Sequence, residues 1–183
     1  MLTNKVFKNF RILGLALLFS HTAQAQEFPQ SWTGKWSGDC QINYHTRSGK
    51  KPRFFEMSLT VQSIPGTDNH MWQIFYNYPA LKFSETRPYE LLTKDKASGE
   101  FTLDEKNGIF IENFYMRNKL KSSFTVSGKL INQTYHLVNP KLIEVISDSF
   151  TTQPISVQEA QNVRVASLGY LSTQSCKLHL EKN

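Results

Sequence analysis

The side chains with the greatest capacity for chemistry are few. Beyond the N-terminal segment the chain carries His45, His70, His136 and His179, the two cysteines Cys40 and Cys176, and Glu112 inside an otherwise apolar run. No two of these histidines have the spacing of a metal-ligand pair. A nucleophile elbow, a His-Glu-x-x-His helix and a phosphate-binding loop are all missing from the sequence. The residues therefore name no catalytic group, no metal site and no cofactor, and enzymatic activity is not expected. His45 and His70 fall in segments that read as loops, where a histidine is ordinarily solvated.

Glu112 belongs to Ile109-Phe-Ile-Glu-Asn-Phe-Tyr-Met116. Facing inward with Phe110 and Phe114, it would be a desolvated carboxyl with a raised pKa, able to hold a polar ligand group. Facing outward, with Ile109, Ile111 and Tyr115 inside, it would be solvated, and parity inclines slightly to this alternative. Aromatic residues offer a second kind of chemistry, ligand contact. Trp72, Ile74, Tyr76 and Tyr78 share one face of a period-two run. Trp72, Tyr76 and Tyr78, with Glu112, are the candidate ligand-binding residues. Buried tyrosine hydroxyls need partners, which a ligand can supply.

The elements that must position these residues are strands. Trp36, Gly38, Cys40 and Ile42 alternate with polar residues, as do Phe55, Met57, Leu59 and Val61, and Phe101 with Leu103. Alternation of this kind marks strands with one buried face. Further runs lie at 89–93, 109–116, 122–126, 130–138, 142–147, 163–171 and 176–180. Turn residues punctuate them: Pro65-Gly66, Ser98-Gly99, Asn107-Gly108, Gly128-Lys129 and Asn139-Pro140. The spacing predicts an antiparallel all-β domain, a sandwich or a barrel. One short helix is expected near 156–162, where Ser156-Val-Gln-Glu159 fits a capping box after Pro154.

The first residues predict export. Lys5, Lys8 and Arg11 precede the apolar run 12–19, and Ala23-Gln24-Ala25 is a small-x-small cleavage site. Residues 1–25 read as a signal peptide, and 26–183 as a single domain. The run is far shorter than the roughly 20 residues that span a bilayer, and no other run approaches that length, so no membrane span is expected after cleavage. The destination is periplasmic or secreted. Removing the three leading cations halves the formal net charge of +6, which weakens any case for nucleic acid binding. The remaining cluster, Arg47, Lys50, Lys51 and Arg53, sits with Ser48, Gly49 and Pro52 and reads as a solvated loop.

In an oxidising compartment Cys40 and Cys176 are expected to pair. The pair would make the first and last strands neighbours, which favours an up-and-down barrel of about 8–10 strands over a sandwich. Trp32-Thr-Gly34-Lys-Trp36-Ser-Gly38 then resembles the Gly-x-Trp entry of lipocalins and other calycins, and in its longer form the opening of nitrobindin-like haem barrels. The resemblance implies that Trp36 plugs the closed end, with Gly34 and Gly38 allowing tight entry, and that a basic residue, nearest in position Arg164, stacks on the tryptophan. The Thr-Asp-Tyr type motif of lipocalins has no clear counterpart in Thr86-Arg-Pro-Tyr89. A haem-ligating histidine is not carried over, because His179 has the opposite parity to Cys176, Leu178 and Leu180. The function expected is binding of a small, mainly apolar ligand inside a lipocalin-like barrel. The alternative is a filled barrel whose loops bind a protein of the cell envelope.

Overall fold

A computed structural model describes residues 27–182, so the signal peptide expected at 1–25 lies outside the described residues. Ten antiparallel strands close into one barrel: β1 (Gly34–Tyr44), β2 (Arg53–Ser63), β3 (His70–Tyr78), β4 (Phe83–Asp95), β5 (Glu100–Asp104), β6 (Phe110–Met116), β7 (Lys119–Val126), β8 (Lys129–Asn139), β9 (Leu142–Ala160) and β10 (Val163–Leu180). Each strand pairs with its sequence neighbour, and β10 returns to β1. Closure removes the exposed edges that an open sheet would present.

Parity sets what lies inside. Trp36 and Cys40 of β1, Phe55, Met57, Leu59 and Val61 of β2, Trp72, Ile74 and Tyr76 of β3, and Ile143 and Val145 of β9 are all buried. Short 3-10 turns fill the connections at Gln30–Trp32, Thr46–Ser48 and Pro79–Leu81. The first of these carries Trp32 into one end of the barrel. There Phe28 stacks on Tyr115 with centroids 4.1 Å apart, and Trp36 Nε1 donates to the Trp32 carbonyl at 2.9 Å. This end is closed.

Cys40 and Cys176 are bonded across β1 and β10, directly opposite in register, with Cα atoms 4.1 Å apart. Both side chains point inward. At this seam Gly38 is forced by space: a Cβ there would stand 1.9 Å from the Lys177 carbonyl oxygen. Gly34 is required by its backbone, with φ +142°.

The helix expected near 156–162 is not formed. Residues 153–160 continue β9 and 163–168 begin β10, so the segment is a two-stranded ribbon rising from the barrel's other end. Gln161 and Asn162 adopt positive φ, 51° and 63°, which suits the primed turns that match strand twist. Pro154 sits beside a register shift, where a missing N–H is tolerated. Cross-strand pairing thus outweighs the local signal of Ser156 and Glu159.

Two ladders are short. β6 joins β7 through only Phe114–Met116 with Lys119–Lys121. β4 meets β5 from Glu90 onward, so Phe83–Tyr89 pairs only with β3. The barrel wall is therefore low beside β5 and β6, and high where the ribbon rises.

Candidate functional site

The interior divides into two halves. The half next to the closed end is filled. Trp72 is 0 % exposed, with its ring 6.0 Å from Trp32 and edge-on to Tyr135 at 5.3 Å. Tyr135 comes from β8, across the barrel, so this contact forms a floor. Leu59, Val61, Leu91, Leu120, Ile143 and Leu178 complete the packing beneath it.

Above the floor the inner surface changes character. Tyr76 is 8 % exposed and Tyr78 is half-buried, stacked on Phe55 at 4.8 Å. On β4, Glu85 faces Tyr76 and Arg87 faces Ile74 in register, which turns both charged side chains inward. The Arg87 guanidinium lies 5.1 Å from the Tyr76 ring centroid, a cation–π arrangement. It donates to Glu85 Oε2 at 3.0 Å and to Tyr89 Oη at 3.5 Å. The far wall is polar: Gln133 donates to Tyr135 Oη at 3.2 Å, and Ser147 and Gln174 face each other across β9 and β10.

Partial burial sets the electrostatics of this group. Burial opposes the charge on Arg87, but the Glu85 carboxylate together with Tyr89 and Tyr76 outweighs it and holds the pKa above its ordinary value. Burial pushes the hydroxyl pKa of Tyr76 up, with Arg87 pulling the other way. Tyr89 and Tyr78 are raised by the same cause. These hydroxyls stay neutral at physiological pH and serve as hydrogen-bond donors or acceptors.

Of the expected ligand residues, the structure brings Tyr76 and Tyr78 together at the open half. Trp72 lies beneath them, without free surface. Glu112 is displaced altogether. Ile111 and Asn113 are its buried neighbours, so Glu112 faces out, bonded to Lys94 Nζ at 2.7 Å and to Thr102 Oγ1 at 3.0 Å. The Lys94 bond holds its pKa below the ordinary carboxylate value, not above it. Arg164 is also corrected. It pairs with Glu159 near the ribbon tip, about 50 Å along the strand from Leu180, the partner of Trp36, at roughly 3.3 Å per residue. His70 is buried, with Nε2 3.2 Å from Ser63 Oγ, rather than solvated in a loop. His179 faces outward into a cleft of about 910 Å3 beside the β1–β10 seam. Among the described residues no group of histidines, cysteines and carboxylates could hold a metal ion.

Glu85 and Arg87 fall outside the run 89–93, because Pro88 looks like the start of a new segment. Alternation of Phe83, Glu85, Arg87, Tyr89 and Leu91 was the signal that could have found them. Pro88 is accommodated because β4 has no second partner at that level.

No family model matches the chain, and no curated protein does. Solved structures that share its fold include the following two. One is a protein of unknown function from the DUF3598 family of Nostoc punctiforme PCC 73102, with TM-score 0.58 and 12 % identity over 83 % of this chain. This chain spans 48 % of that protein's length. The other is the S-type phycobiliprotein lyase CpeS of Guillardia theta, with TM-score 0.57 and 7 % identity, covering 84 % of this chain and 90 % of the lyase. At these identities the likeness is one of fold.

Proposed function

We propose that this chain is a binding protein that takes a small, mainly apolar molecule into the open half of its barrel, with an acidic or other acceptor group of the ligand meeting Arg87. One observation carries the proposal. A half-buried guanidinium stands on the inner face of a closed barrel, among Tyr76, Tyr78 and Tyr89. Burying a charge costs stability unless it is paired, and a barrel whose interior is only packing would place an apolar residue there. Glu85 occupies one edge of the guanidinium, and its remaining N–H groups are donors for a ligand. A lyase of phycobiliproteins on the same fold adds support for small-molecule handling by such barrels.

The leading basic and apolar residues and the bonded Cys40–Cys176 pair support the further proposal that the protein is exported and works in the periplasm or beyond. N-terminal sequencing of the exported fraction, with a start near Gln26, tests that.

The ligand proposal is tested by titrating the purified domain with two fluorophores, anilinonaphthalene sulfonate, which is apolar and anionic, and neutral phenylnaphthylamine. Saturable binding of the anionic probe is expected. Arg87→Met should weaken it by about tenfold or more, the usual worth of a hydrogen bond to a charged group, and should leave the neutral probe little changed. Wild-type protein that binds neither probe would sink the proposal and favour the filled barrel whose loops bind an envelope protein.

A further inference from the structure

Two loops lie side by side at the open rim. Residues 45–52 join β1 to β2, and 79–82 join β3 to β4. They are held together by Tyr78, which stacks on Phe55 at 4.8 Å and lies 6.1 Å from Phe83. From 44 to 55 and from 77 to 84 the chain carries Arg47, Lys50, Lys51, Arg53 and Lys82 and no carboxylate. All five cations are exposed. Beyond these spans Glu85 is paired with Arg87, while Glu56 accepts from the neutral Asn77 amide at 2.9 Å.

The same rim exposes large apolar side chains. Phe54 is 67 % exposed, Leu81 57 % and Phe83 49 %. Scattered apolar residues on a surface need no explanation, but Phe54 and Leu81 stand at the ends of the two connections that carry Arg47, Lys50, Lys51 and Lys82. The complement of such a surface has two layers: negative charge on the outside and an apolar medium just beneath. A nucleic acid supplies the phosphates but no apolar layer for Leu81. A bilayer with anionic headgroups supplies both, since cations bind the headgroups while aromatic and aliphatic tips enter the acyl boundary.

We propose that the open rim of the barrel docks on an anionic lipid membrane surface through Arg47, Lys50, Lys51 and Lys82 with Phe54 and Leu81. The contact is peripheral, and the barrel itself stays in water. It stands on the outer residues of the rim and does not depend on what the interior binds.

The test is co-sedimentation of the mature protein with vesicles of phosphatidylcholine alone and of phosphatidylcholine mixed with phosphatidylglycerol. Binding is expected to the mixed vesicles and to weaken as salt is added. Each cation near the surface contributes roughly fivefold, so Lys50→Gln with Lys51→Gln should reduce the partition by about 25-fold. Phe54→Ser with Leu81→Ser should reduce it at fixed charge, and neither pair touches the core, so both variants should melt like wild type. Wild type that leaves the mixed vesicles unbound overturns the proposal. So does equal binding to both vesicle types with no response to the lysine changes. Binding to polyglutamate but not to vesicles would assign the surface to an acidic protein and overturn it too.

Discussion

At the scale of single residues, the interior tryptophans are equivalent in burial although the sequence suggested different roles for them. Trp36 is 1 % exposed and Trp72 0 %. Truncating either to alanine should cost about 3–5 kcal/mol, as large buried side chains generally do, and paired urea melts of Trp36→Ala and Trp72→Ala measure it. A Trp72 variant that kept near-wild-type stability would mean that the floor is not packed. His70 makes a separate prediction. Burial is the main cause holding its pKa below the ordinary value, with Lys96 adding and Asp68 opposing. In the unfolded chain the ring takes a proton near pH 6.5, about its ordinary value, while in the fold it resists. The unfolded state therefore binds more protons as pH falls below about 6.5, and stability is lost in that direction. Urea midpoints across pH 7.5 to 5 should fall for wild type and fall less for His70→Leu, once both are measured on the same buffers.

At the scale of elements, much of the fold was legible. Period-two alternation identified the strands, and Asn107-Gly108 and Gly128-Lys129 fall in tight turns with positive φ at Gly108 and Gly128. Strand length was not legible. The upper part of β4 was hidden by Pro88, and the ribbon was hidden by a capping pattern that cross-strand pairing overrode. Both misreadings concern backbone whose state is decided by a partner strand far away in sequence, which local pattern does not contain. The site suffered most from this, because Arg87 lies on the hidden part of β4. Side-chain direction at Glu112 was a near tie, since both faces of β6 carry apolar residues, and the outward orientation that parity slightly favoured is the one formed. The ribbon has its own consequence. Residues 153–167 are exposed throughout, and a two-stranded ribbon alone is marginal in water. Replacing 154–167 with Asn-Gly should leave the thermal midpoint within a few degrees, because no core is removed. A large drop would mean that the ribbon packs on the barrel.

At the scale of the whole molecule, the Cys40–Cys176 bond spans a sequence separation of 136 residues. In the chain-entropy account a loop of that size is worth about 5 kcal/mol. Reduction should lower the urea midpoint by a corresponding amount, read with and without a thiol reductant on the same preparation. Equal midpoints would show that the barrel's noncovalent seam already does the holding. The three-pair ladder between β6 and β7 completes a mechanical picture. A ring riveted at β1–β10 can flex only elsewhere, and its weakest joint lies across from the rivet, where few backbone bonds hold Phe114–Met116 to Lys119–Lys121. The molecule is then a sprung clasp: pinned on one side, it can part on the other, next to the low wall above β5 and β6. That would give a bulky guest a way through the side without unfolding the whole.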